Sequence, residues 1–442
     1  MIIDYFLRED IVKASGFQTK KEDFIMFKKT ALIVSLVAVF FMFTVTSISA
    51  QTEISVWHSM SSGYGQEFIE EIAEVFNEEY EDIEVEIVYS GGYQETLQGA
   101  QAALAAGDPP NVSMFEQSRG AAFVDAQALE PLEPYFERTE GLDFEDFFPG
   151  IRRAATYGDT VYGIPYNTST PLLYYNKELF EEAGLEGPPE TWDELLEYSI
   201  TLKEELDVYG KDFYSWGWLF EAWIGQNGAR ILNEDNTEFI FNSEEAVEAM
   251  QFAQDMVHEH EVAVYGSGAE GYDMFFSEQI AMTMRSTAAL NSNIESADFE
   301  MGVAVLPYNT EQYVPIGGAN FFMFDTGTQE EKDASWEFLT YLVEADNFAE
   351  FAIETGYMAA KDDAYNSDKL QEHFENEPRA TVTYDQLDYA YPRPQVPFWG
   401  EVHSELGWLF DQMFTEQADV GEALDSVVET GNRLMGVYGL SQ

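Results

Sequence analysis

The segment ISVWHSMSSGYGQEFIEEIAEVFNEEYEDIEVEIVYS, residues 54–90, sets two periodicities side by side. Residues 54–57 and 83–89 read as short strands, the second alternating apolar and acidic side chains with period two. Between them, residues 66–77 place Phe68, Ile69, Ile72, Ala73 and Phe76 on one stripe, the signature of an amphipathic helix. Strand, helix and strand in succession predict parallel neighbours joined by a crossover. The theme continues with a helix over 94–106, halted by Gly107-Asp108-Pro109-Pro110, and a strand over 111–115.

Further along, the same alternation returns. Residues 172–176 read as a strand and 177–183 as a short helix ended by Gly184. Pro188-Pro189 precedes a long helix starting at Trp192, with Thr191 and Glu194 spaced as a capping box. A helix is predicted over 244–258, strands over 279–284 and 301–306, and helices over 330–343 and 347–354. No low-complexity linker separates the two regions. The expected fold is therefore α/β, with two doubly wound lobes joined by several chain crossings. Such a hinge would leave a ligand cleft at the lobe interface, faced by the carboxyl ends of the strands. Residues 52–164 and 298–345 are assigned to the first lobe, and residues 165–297 and 346–442 to the second.

Composition limits the function. Apolar residues make up 45% of the 442-residue chain and aromatics 15%, enough for folded cores despite the charge. Cysteine is absent, which excludes disulfides, a thiol nucleophile, a thiolate zinc site and thioether lipid attachment. A formal net charge of −61 argues against nucleic acid or an anionic membrane as partner, and reads as the solvated shell of a protein in salty surroundings.

The first fifty residues read as a targeting segment. Met26-Phe27-Lys28-Lys29 and the apolar run 31–45 form the n- and h-regions of a signal peptide, and Ser47-Ile48-Ser49-Ala50 offers a cleavage site. The run is short for a membrane span. Residues 1–25 then have no role in export, and translation is expected to begin at Met26. Residues 1–50 hold six of the 21 basic and five of the 82 acidic groups, so 15 and 77 fall beyond them.

Nine short strings follow one another in a telling order: Val56-Trp57-His58-Ser59-Met60, Gly91-Gly92-Tyr93, Ala105-Ala106-Gly107-Asp108-Pro109-Pro110, Pro165-Tyr166-Asn167-Thr168-Ser169-Thr170-Pro171 and Leu173-Tyr174-Tyr175-Asn176-Lys177, then Pro188-Pro189-Glu190-Thr191-Trp192, Ala281-Met282-Thr283, Ile316-Gly317-Gly318-Ala319 and Thr355-Gly356-Tyr357. In this order they resemble family 1 extracellular solute-binding proteins of ABC importers, and most of all the members that bind sn-glycerol-3-phosphate. The resemblance spans the chain from about residue 50 onward. It implies a class II periplasmic-binding-protein fold, a monomer that binds a small polyol phosphate or sugar, membrane subunits of an ABC transporter as partners, and no cofactor, metal or catalytic residue. A periplasmic location follows from the signal peptide and the absent lipid-anchor cysteine.

Carried over position by position, the resemblance points to Tyr93, Glu116, Ser169, Ser286, Gly317, Gly318 and Tyr357 around the ligand, with Trp218, or Trp216 if the alignment slips by one, against its carbon skeleton. These types suit a molecule with alternating CH and OH edges. Tyrosines offer a ring face and a hydroxyl, and a Gly-Gly turn lets backbone N–H groups approach closely. The resemblance also fails at one place. Where phosphate-binding members carry an arginine, a gapless alignment puts His403, and Pro392-Arg393-Pro394 with Trp399 looks more like the sugar-binding members. Arg285 is the first candidate for a substitute anion partner, with Arg119 and Arg393 behind it. Trp399 is expected to serve as a stacking platform. The ligand is accordingly either glycerol-3-phosphate or a related glycerophosphodiester, or a neutral sugar.

Rival classes are weak. With 82 acidic residues, the paired carboxylates of a glycoside hydrolase arise by composition alone, and no nucleophile elbow, HExxH or P-loop occurs. His258 and His260 are two apart at a helix end and do not share a face. Tyr265-Gly266-Ser267-Gly268 is expected to be a loop.

Overall fold

The alternation at residues 83–89 becomes a strand with Val85 buried and the flanking Glu84 and Glu86 exposed. The helical stripe becomes Gln66–Glu79, whose Ile69, Ile72, Ala73 and Phe76 are buried beneath it. The computed structural model describes residues 51–440, so the extension and signal-peptide readings for 1–50 lie outside the described residues. In chain order the strands of the two main sheets are β1 (Thr52–His58), β2 (Ile83–Tyr89), β3 (Val112–Glu116), β4 (Gly163–Pro165), β5 (Pro171–Asn176), β6 (Tyr209–Tyr214), β7 (Ala263–Gly266), β8 (Ile280–Ser286), β9 (Met301–Ala304) and β10 (Ala319–Met323).

The first lobe carries the sheet β2-β1-β3-β10-β4 and the second the sheet β9-β5-β8-β6-β7. The predicted parallel units are present: β1 pairs in parallel with β2 and β3, and β6 with both β8 and β7. The sheets are mixed rather than wholly parallel, because β10 runs antiparallel to β3 and β4, and β5 antiparallel to β8 and β9. The antiparallel members follow directly on chain crossings, which deliver them into a sheet from the opposite side.

Two lobe boundaries need correction. Residues 298–304 do not belong to the first lobe, since β9 pairs with β5 through Met301↔Asn176 to Ala304↔Leu173; the return crossing lies after Ala304. The helix Ala345–Thr355 does not belong to the second lobe. Its Phe351 meets Phe68 of the first-lobe helix Gln66–Glu79 at 5.5 Å and stacks at 4.3 Å on Tyr166, which follows β4 and packs on Phe321 of β10 at 5.3 Å. The helices Trp399–Phe414 and Val420–Tyr438 do pack on the second lobe, burying Leu406, Phe410, Val427 and Leu434 in the core that holds Trp192 and Trp223. Periodicity locates an element but not the body it packs on.

The crossings are tied to one another. Ser169 and Gly317 exchange backbone hydrogen bonds of 3.1 and 2.7 Å, Met358 N–H donates to Thr168 C=O at 2.9 Å, and Val314–Pro315 pairs in parallel with Ala390–Tyr391. Backbone groups that would otherwise be orphaned at the hinge are thereby satisfied.

His58, the last residue of β1, is fully buried, and neither ring nitrogen has a partner among the described residues. Burial pushes its pKa down to about 4, outweighing the charge of Glu70. The unfolded chain then binds a proton that the folded one refuses, so stability falls as pH drops from about 6.5 towards 4. Between pH 7.5 and 5 this residue should remove about 2 kcal/mol. Urea unfolding of wild type and His58→Leu at the two pH values checks it: the variant should lose less on acidification.

Candidate functional site

Where the carboxyl ends of β3, β6 and β8 face each other across the crossings, they enclose a cavity of about 550 Å³. Ten of the eleven sequence-derived candidates line it: Tyr93, Glu116, Ser169, Trp218, Arg285, Ser286, Gly317, Gly318, Tyr357 and His403.

From the first lobe come Tyr93 and Glu116. Tyr93 opens the helix Tyr93–Ala106, and its phenol accepts a hydrogen bond of 3.0 Å from Asn167 Nδ2. Tyr357 stands beside it, stacked on Phe351 at 5.8 Å and 5°. Burial raises both phenols, Tyr93 well above its ordinary value and Tyr357 to about 12, so both remain neutral O–H groups. Glu116 ends β3 and caps the 3₁₀ turn that follows: its carboxylate accepts from Ser118 Oγ at 2.5 Å and from Arg393 Nη1 at 3.2 Å.

The crossings supply the floor. A Cβ on Gly317 would lie 2.5 Å from the Trp218 ring and 2.8 Å from Ser169 Oγ. Gly318 has φ +93°, and a Cβ there would meet Asn167 C=O at 1.9 Å. Both positions demand glycine, one for close approach and one for the left-handed backbone as well. Trp218, on the helix Gly217–Gln226, donates its indole N–H to Pro315 C=O at 3.1 Å.

From the second lobe, Ser286 ends β8, and its Oγ accepts from Ala288 N–H at 3.2 Å. Arg285 beside it is 3% exposed and held by Asp212 Oδ2 at 2.6 Å, with its guanidinium between the Tyr214 and Tyr272 rings at 4.1 and 4.4 Å. Burial works against its charge, but Asp212 and the two phenols outweigh it and raise its pKa. Arg285 therefore lines the cavity as an arginine already paired with a carboxylate.

Trp399 is the candidate the structure removes. It is 1% exposed, stacks on Phe239 at 6.2 Å and 10°, and packs behind Arg393 at 5.9 Å from its ring. As the first residue of a helix whose apolar face turns into the second lobe, it backs the site instead of lining it. His403, one turn along that helix, does reach the cavity, with its Nε2 against Gly217 and no partner. Burial first, then Arg393 and Arg119, hold its pKa well below the ordinary value, so a neutral imidazole occupies the place of the expected cation.

Other lining residues were missed or named only as alternates. Trp216 lies 4.8 Å from Trp218, and both rings face the cavity, so the one-residue ambiguity resolves to a pair. Tyr64, Tyr214 and Tyr272 complete the aromatic lining. The stretch 265–268 is not a loop: β7 ends at Gly266, and Ser267 caps the helix Gly268–Phe276 with a complete capping box to Glu270. The Ser-x-x-Glu spacing was a readable signal for that helix. The contacts of Arg393 had no such signal. Its Nε and Nη2 donate to Glu221 Oε1 at 2.9 and 2.6 Å, and its Nη1 reaches Glu116, a residue 277 positions away. Burial opposes the charge of Arg393, yet the two carboxylates raise its pKa, and burial pushes Glu221 up to about 7. Arg119 completes the set, 3.5 Å from Glu116.

The comparisons agree with this architecture. Residues 71–378 match the model of the bacterial extracellular solute-binding protein family, and the chain belongs to that family. Among curated relatives, the sn-glycerol-3-phosphate-binding periplasmic protein UgpB of Yersinia pestis bv. Antiqua is 31% identical over 87% of this chain and 93% of its own length. That of Pectobacterium atrosepticum is 29% identical over 89% and 94%. Among solved structures, UgpB from Mycobacterium tuberculosis in complex with glycerophosphocholine superposes with a TM-score of 0.76 at 23% identity, covering 87% of this chain and 98% of that one. The cyclic alpha-maltosyl-1,6-maltose binding protein from Arthrobacter globiformis gives the same TM-score and identity, covering 87% and 99%. These relatives are solute-binding proteins, not enzymes, and no helix among the described residues is long and apolar enough to cross a membrane.

Proposed function

We propose that this chain is the periplasmic substrate-binding component of an ABC importer and captures a glycerophosphodiester or related polyol phosphate by closure of its two lobes. One observation carries the reading. A single cavity gathers two neutral tyrosines, a carboxylate, two serines, a Gly-Gly turn and three arginines, the groups that a glycerol unit and a phosphate each require. The names of the curated relatives favour the same ligand class. Binding works as a two-state equilibrium: ligand contacts from both lobes exist together only in the closed form, so ligand shifts the population towards closure. The membrane subunits then read the closed form, and the chain acts as a monomer.

A second reading, a neutral sugar, is favoured by the pairing of every cavity arginine with a carboxylate and by the aromatic walls. Isothermal titration of residues 51–442 with sn-glycerol-3-phosphate, glycerophosphocholine, maltose and trehalose separates the two. Heat with a phosphorylated glycerol and none with the sugars supports the first reading, and the reverse establishes the second. In either case Tyr357→Ala should weaken binding at least about tenfold, since it removes a ring face and a hydroxyl worth about 1 kcal/mol each. Unchanged affinity in that variant would place the ligand elsewhere in the cavity.

A further inference from the structure

We propose that Glu221, which does not itself line the cavity, tunes the charge of the ligand the cleft accepts, raising its preference for singly charged phosphodiesters over phosphomonoester dianions. The inference rests on the polyol-phosphate reading above and goes beyond it by excluding part of that class.

The argument is one of charge counting in a desolvated space. Three guanidinium groups line the cavity, those of Arg119, Arg285 and Arg393. Each has a carboxylate beside it: Arg285 bonds Asp212 at 2.6 Å, Arg393 bonds Glu116 at 3.2 Å and Glu221 at 2.6 Å, and Arg119, hydrogen-bonded to Gln94, stands 3.5 Å from Glu116. These three guanidinium groups and their three carboxylates balance to zero formal charge, and burial pushes the pKa of Lys211, the buried lysine beside Asp212, down to about 7. His403 adds nothing, being held neutral. A monoanion then leaves one uncompensated charge on lobe closure and a dianion leaves two, each opposed by the loss of hydration.

Of the three carboxylates, Glu221 is the one whose removal changes that count with least change to the wall. Asp212 fixes Arg285 between two tyrosines, and Glu116 both lines the cavity and caps the turn after β3. Glu221 sits on the helix Gly217–Gln226, 1% exposed, and touches the cavity only through Arg393. The charged and titratable groups facing it are Arg393, Glu116 and the phenol of Tyr313. With its carboxyl pushed up to about 7, it is ionised at pH 8, where a phosphomonoester is a dianion. Neutralised to an amide, it would still accept a hydrogen bond from Arg393 and would leave the guanidinium with a surplus charge for the ligand.

The test compares two ligands of nearly equal size that differ by one charge: sn-glycerol-3-phosphate and its phosphate monomethyl ester, titrated at pH 8 in moderate salt. Wild type should prefer the methyl ester at least about tenfold, and Glu221→Gln should narrow that preference by at least about tenfold through tighter monoester binding. Glu221→Asp, which keeps the charge, should keep the wild-type preference. A ratio that moves less than twofold in Glu221→Gln overturns the proposal. So does a wild type that binds both ligands equally, which decides the matter even if the amide variant fails to fold. A wild type that binds neither phosphorylated ligand overturns the polyol-phosphate reading instead. The charge assignment then stands or falls on whether Glu221→Gln acquires binding of sn-glycerol-3-phosphate.

Discussion

Replacing Arg393 by methionine should destabilise the folded protein by about 3–5 kcal/mol, the cost expected when one partner of a buried ionic network is removed. The variant strands Glu221, 1% exposed, and deprives Glu116, 4% exposed, of its contact across the lobes. Methionine retains the apolar contact with the Trp399 ring, so the loss reports charge rather than volume. Urea unfolding at pH 7.5 measures it. The same experiment at pH 5 should give a smaller loss. With the guanidinium gone, burial and the nearby Glu116 push Glu221 higher still, and the cost of holding its carboxyl protonated shrinks as pH falls towards the ordinary carboxylate range of the unfolded chain. A variant as stable as wild type at both pH values would mean that water reaches this cluster freely.

Salt should act as strongly as any substitution. Beyond residue 50 the chain carries 77 acidic against 15 basic groups, and the exposed acidic residues lie along helix faces such as Gln66–Glu79. Self-repulsion of that magnitude opposes compaction, and screening shortens its range from about 10 Å at 0.1 M to about 3 Å at 1 M. The thermal midpoint should therefore rise by on the order of 10 °C between about 0.1 M and 2 M potassium chloride. Calorimetry across that range tests this, and chloride against sulfate separates screening from salting-out. A flat dependence would show that the acidic shell is already neutralised by tightly held cations.

The internal ion pairs should behave differently from the shell. Arg285 with Asp212 and Arg393 with Glu221 lie where salt penetrates little, and screening leaves them nearly unchanged. High salt should thus stabilise the scaffold without dissolving the charge balance of the cleft. That permits the ligand titrations to be carried out in the ionic strength at which the protein is most stable.

Periodicity, caps and breakers made the elements readable. The alternation in residues 83–89 and the stripe from Phe68 to Phe76 gave β2 and the first helix to within two residues, because burial on one face leaves its period in the chain. Gly107, in the left-handed conformation, ended its helix as read, and the helix Glu244–His258 matched the expected span. Ordered short strings carried the family and, with it, eight positions that converge on one cavity. Glycine at 317 and 318 was legible for the same reason: a backbone that admits no side chain leaves a residue type, not merely a preference.

Packing partners were not legible, and tertiary structure alone decided them. Nothing local to Met301–Ala304 says that it pairs with β5, or that Ala345–Thr355 lies against Phe68 on the first lobe. Trp399 and Trp216 are both tryptophans near the expected site, yet one is sealed behind Arg393 and the other faces the cavity. Charge compensation is the sharpest case. Read alone, the chain specified a strongly acidic member of the solute-binding family with two α/β lobes, and it offered three arginines as anion-partner candidates but not their partners. Glu221 and Glu116 meet Arg393 from residues 172 and 277 positions away, brought there by the crossings. Electrostatic free energy depends on distance and desolvation in space, and neither leaves a period in the chain.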